Sequence, residues 1–128
     1  MVARLVDPLA AADRQFGYSV AVDGDTIAIG SRLANLGPIA QTGSVDIFQK
    51  SAPNGSWNHI QKLQPRDLNG GDYFGTSVSL HSNALVIGSP KSGDLGDQAG
   101  KAYVFVRTQA SNSWVEVCLL YTSDAADE

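Results

Sequence analysis

The segment Phe16 to Gly30, FGYSVAVDGDTIAIG, returns at Phe74 to Gly88 as FGTSVSLHSNALVIG, 58 residues further on. Later landmarks return 57 residues apart: Gly43 at Gly100, Phe48 at Phe105 and Trp57 at Trp114. Self-similarity at this period constrains the fold more than any other feature. One such unit cannot bury its apolar faces alone, so it must stack on a neighbour of the same kind.

Within each unit the pattern is one of short strands. Phe16 to Val22 is rich in aromatic and β-branched residues and ends at Asp23-Gly24, a dipeptide suited to a tight hairpin. Thr26 to Ile29 is apolar at successive positions, which predicts a strand covered on both faces. After the 32–42 loop, Gly43 to Lys50 forms a third strand, and beyond the turn cluster SAPNGS, Trp57 to Gln64 forms a fourth. The second unit repeats the order at Phe74 to Leu80, Ala84 to Ser89, Lys101 to Val106 and from about Ser113. No sustained i, i+3, i+4 apolar pattern occurs, so no helix is expected. Leu5 precedes Phe16 by the same interval as Leu63 precedes Phe74, so residues 1–15 read as the end of a preceding unit. The expected fold is all-β: a β-propeller fragment of two four-stranded antiparallel blades, 16–73 and 74–117, plus that earlier end. Val20, Ile27, Ile29, Val78, Val86 and Ile87 are expected in the core between them.

Phe16-Gly17 and Phe74-Gly75 before an apolar strand, Ile29-Gly30-Ser31 and Gly88-Ser89-Pro90 after the next, and Gly43 or Gly100 before an aromatic strand resemble the FG-GAP repeat of integrin alpha-subunit propellers. The match is nearer to the calcium-free variety of large surface or secreted proteins, through the strand Trp, Leu63, Asp67 and Gly71-Asp72. The resemblance spans about residues 4–117 and implies an extracellular or cell-surface location and a part in adhesion or protein binding. Residues 118–128, CLLYTSDAADE, resemble something else: a translated adapter from sequencing-library preparation. They are set apart from the fold, except that the last strand is expected to run to about Leu120, with 122–128 lacking fixed structure.

Several chemistries are argued against. The net charge is −4, and the last eleven residues hold three acids (Asp124, Asp127, Glu128) and no base. Lys and Arg are scattered singly elsewhere, which offers no basic stripe for nucleic acid. No apolar run reaches the length of a membrane span. The one cysteine, Cys118, lies in the adapter-like stretch, so the repeats contain no thiol for a disulfide, zinc site or nucleophile. Calcium needs six to eight oxygens, and the short turns at Asp23 to Asp25 and His81 to Asn83 cannot wrap it. Asp94 and Asp97 read as a solvated loop, and Gly88 to Asp94 lacks the Lys, Ser/Thr and helix of a phosphate loop. His59 and His81 occupy unrelated positions, each read as a surface or strand-pairing residue. Phe16, Phe74, Phe48, Phe105, Trp57 and Trp114 recur at the repeat spacing and are assigned to packing. Asn54-Gly55-Ser56 fits a glycosylation acceptor.

No catalytic residue, metal site or cofactor is therefore expected. The reading is a non-catalytic module for protein or glycan interaction, joined to further blades of its chain. The alternative is an accessory propeller of a larger extracellular enzyme whose catalytic domain lies elsewhere. Strand alternation gathers the long connections at 32–42, 64–73 and 91–99 at one end. The residues there expected to bind are Arg32, Asn35, Arg66, Lys91 and Asp94.

Overall fold

The computed structural model describes residues 4–6, 15–34, 42–51, 55–64, 73–90 and 100–121, with only the backbone given for 118–121. Strands β1 (Phe16–Asp23) and β2 (Thr26–Ser31) form a hairpin, with Asp23 opposite Thr26. The turn residues are thus Gly24-Asp25, one position beyond the Asp23-Gly24 pair that the sequence suggests. Positive φ falls on the first turn residue, Gly24 at 59°, and on Ser82 at 57° in the second unit. Strands β3 (Ser44–Lys50) and β4 (Trp57–Leu63) complete an antiparallel sheet ordered β1-β2-β3-β4. The second sheet repeats it as β5 (Ser77–His81), β6 (Ala84–Ser89), β7 (Lys101–Thr108) and β8 (Ser113–Tyr121). All described elements are strands.

The repeat extends to irregularities. The β3–β4 ladder slips between Ile47 and Phe48, and the β7–β8 ladder slips between Val104 and Phe105, their counterparts. The Phe-Gly pair has a backbone explanation. Gly17 and Gly75 both sit at φ 94°, a conformation that residues with a Cβ rarely adopt, so glycine must follow the phenylalanine. That turn brings Phe16 to 6.2 Å from Phe48 and Phe74 to 6.2 Å from Phe105, both edge-on. It also delays the second unit's first strand. The sequence predicts that strand from Phe74, but the ladder starts at Ser77, and Phe74 instead forms a parallel bridge to Gly43.

The two sheets pack through unlike faces. Ala28, Val45, Ile47 and Leu63 of the first lie against Phe74, Leu85, Ile87, Tyr103, Phe105 and Trp114 of the second. Burying large aromatics against smaller aliphatics supplies the main stabilisation, about 25 cal/mol for each Å² of apolar surface removed from water. Ile87 is buried in the core between the sheets as expected, whereas Ile29 is buried on the first sheet's other side, opposite Val20. Ile27 and Val78 are half-buried, and Val20 and Val86 correct the expectation, being 64% and 42% exposed. Successive strand residues point to opposite faces. Val86 lies on the side of its sheet turned away from the first, and Val20 on the side of its own turned away from the second. Continuous apolarity in β6 therefore does not mean cover on both faces here, whereas β2 is buried along nearly all its length.

Polar ties reinforce the junction at both ends. Near the long connections, Phe74 N donates to Thr42 O at 2.8 Å and Ser19 Oγ donates to Gly75 O at 2.7 Å. At the far end, Arg107 donates to Asn83 Oδ1 through Nε at 3.0 Å and Nη2 at 2.9 Å, and its Nη1 reaches Thr26 Oγ1 at 3.3 Å. Between them the Gln61 side-chain amide reads the β8 backbone: Nε2 donates to Trp114 O at 2.9 Å, and Oε1 accepts from Trp114 N at 2.8 Å.

Candidate functional site

Of the five residues expected to bind, Arg32 lies among the described residues, while Asn35, Arg66, Lys91 and Asp94 lie outside them. Arg32 follows β2 directly and is held from three segments. Its guanidinium carbon stands 4.2 Å from the centre of the Tyr18 ring, on β1, and 5.4 Å from that of Tyr73, just before the second unit. Its Nε donates to Gln15 Oε1 at 2.8 Å. Cation–π attraction suits this setting, since a guanidinium can stack on aromatic rings and still donate hydrogen bonds in its own plane.

Backbone geometry explains how the group assembles. Gln15 and Tyr73 hold the same position in consecutive units, each just before the Phe-Gly pair, with φ of 60° and 59°. Each closes a short turn: Tyr18 N donates to Gln15 O at 3.0 Å, and Thr76 N to Tyr73 O at 3.2 Å. The Thr76 hydroxyl caps the second turn by donating to Tyr73 O at 2.6 Å. Equivalent positions of two units thus converge on one arginine, the first by a hydrogen bond and the second by a ring.

A second polar cluster was not anticipated. Asp46 is buried in the middle of β3, on the first sheet's outward face, with its side chain 1% exposed. His59 Nε2 lies 2.8 Å from Asp46 Oδ1, and Lys62 Nζ lies 3.0 Å from Oδ1 and 3.3 Å from Oδ2. His59 also packs edge-on against Phe48 at 5.3 Å. The histidine is a strand-pairing residue, as the sequence suggests, and its partner is a carboxylate. The available signal was one acid inside an otherwise apolar strand. The second unit has Tyr103 at that place, buried against Phe74 at 5.0 Å. The hydrogen bond to Asp46 and the edge-on contact with Phe48 tie His59 into the sheet.

Near the long connections, the Ser31, Thr42 and Ser44 hydroxyls are buried and have no hydrogen-bond partner among the described residues. At the other end, the hairpins are two-residue turns, and Asp23 Oδ2 accepts from Ser82 N, joining one turn to the other. That carboxylate is engaged in structure. Among the described residues, no three His, Cys, Asp or Glu side chains gather as metal ligands would.

Stacked four-stranded meanders, alike in register, bulge and aromatic contacts and tied together at both ends, define a chain of β-propeller-type blades. The pattern of the FG-GAP repeat matches residues 1–48 and again 57–105, and the chain belongs to that repeat family. A comparison with curated proteins gave no match. The family match runs out of step with the sheets: 57–105 begins on β4 of the first sheet and ends within β7 of the second.

Proposed function

We propose that the chain is a non-catalytic interaction module of a surface or secreted protein, which binds a protein or glycan partner at the end where its long connections gather. The observation that carries this is Arg32, fixed between Tyr18 and Tyr73 by three segments at that end. Rigid blades presenting loops are a usual arrangement for recognition. Membership of a repeat family built from stacked blades supports it, and no helix among the described residues is long and apolar enough to cross a membrane.

The test is binding of the purified chain to glycan and tiled-peptide arrays. Replacing Asn35, Arg66, Lys91 and Asp94 together by Ala should abolish the signals, while His81→Ala at the opposite end should keep them. Signals that survive the fourfold change but vanish with His81→Ala would place recognition at the other end and overturn the reading.

A further inference from the structure

We propose that the Ser31, Thr42 and Ser44 hydroxyls hold one buried water, which ties together the two feet of the 32–42 connection. The site does not depend on what that connection recognises.

Three observations carry it. The first is that all three hydroxyls belong to residues 0% exposed, and none has a hydrogen-bond partner among the described residues. A buried hydroxyl without a partner is costly, and folded proteins meet such groups with ordered water. The second is placement. Ser31 ends β2, Ser44 opens β3, and the two are directly opposed in the ladder, on the same face of the sheet. The Cβ atoms of residues so opposed stand about 4.5–5.5 Å apart, a gap that one water spans by hydrogen-bonding to each side. Thr42, two residues before Ser44, supplies the further bond that a buried water usually makes. The backbone closes around the same place, since Ala34 N donates to Ser31 O at 3.1 Å and Gly43 N to Ala34 O at 2.9 Å.

The third is room. The second unit sets Ser89 opposite Lys101 in the same register, and there the lysine is only 6% exposed. A backbone frame that encloses a lysine has width for a serine and a water together, and the lysine brings its own polar head where the shorter serine needs one. A neutral ligand is favoured over a cation by the chemistry of the donors. Hydroxyls carry no charge, and the acid nearest along β3, Asp46, has its oxygens engaged by His59 and Lys62.

The experiment is oxygen-17 relaxation dispersion of water in solutions of the 128-residue chain, which counts long-lived bound waters, with melting temperatures taken alongside. Replacing Ser31 and Ser44 together by Ala should lower the dispersion amplitude by one water. Thr42→Ala, outside the strands, gives a separate reading and should lower it or shorten the residence time. Ser44→Ala should lower the melting temperature by about 3–8 °C, because the water and the remaining hydroxyls lose a partner. Ser79→Ala, an exposed serine on β5, should change neither quantity. Dry hydroxyls would give the opposite sign, since removing an unmatched polar atom stabilises the fold. An amplitude equal in the native chain and both variants, or a raised melting temperature for Ser44→Ala, would therefore overturn the proposal. A native melting temperature higher in sodium or potassium chloride than in choline chloride, with the difference gone in the double variant, would overturn it in favour of a bound cation. Array signals that survive the fourfold loop variant would sink the recognition reading and leave this site standing.

Discussion

Asp46 shows how much one residue can add that a sequence leaves hidden. A carboxylate inside a sheet is tolerable only when its oxygens are matched, and here His59 and Lys62 match them from the neighbouring strand. Those partners are 32% and 23% exposed, so they can turn to water when the acid is removed, which limits the loss. Asp46→Asn should therefore cost about 1–3 kcal/mol, read as a lower urea midpoint with unchanged slope. An unchanged midpoint would mean that the cluster is ornamental. Lys62 lies directly opposite Asp46 in the register, but nothing in the spacing declares the His59 contact, because His59 lies beyond a bulge in the β3–β4 ladder. Arg32 was easier to find: strand alternation alone places it at the end where the loops gather. Its clasp was not, since that depends on two backbone turns at positive φ on Gln15 and Tyr73, residues with no local signal for such a conformation.

At the scale of strands, the repeat offset made the architecture legible. Eight strands in two meanders, and the hairpin ends within a residue or two, follow from recurring landmarks. What misled was the use of apolarity to infer cover, as for Val20 and Val86, because a chain does not show which face meets a neighbour. Glycines separate the two kinds of constraint. At Gly43, φ is 88° and a Cβ would lie 1.9 Å from Phe74 O and 2.4 Å from Phe74 N, against backbone that cannot yield without opening the junction between units. At Gly24, φ is 59° and a Cβ would meet nothing within 4 Å. Gly24→Ala should accordingly cost about 1–2 kcal/mol, the strain of a left-handed alanine. Gly43→Ala should cost clearly more and broaden the melt as the sheets come apart. Equal losses in calorimetry would show that Phe74 can move aside.

For the whole molecule, the decisive fact is that the sheets join through unlike faces. The second sheet's far side carries Val86 and Val115, each 42% exposed, and corresponds by the repeat to the side of the first sheet that is buried at the junction. Unlike faces that fit head to tail leave a complementary pair at the two ends, and such contacts propagate unless a ring closes. Purified alone, the chain should associate with rising concentration in sedimentation, and Val86→Lys with Val115→Lys should reduce the association. A monomer at all concentrations would contradict this. The offset between sequence repeat and sheet has a consequence for descent. A family unit begins with the closing strand of one sheet and continues into the first three of the next, as residues 57–105 do. When a gene gains or loses one such unit, the newcomer's leading strand completes its predecessor's sheet and its own sheet waits for the strand that follows. Each generation of duplication is thus stitched to the last by a ladder of backbone hydrogen bonds, and an array can lengthen or shorten by whole units without leaving a three-stranded sheet behind.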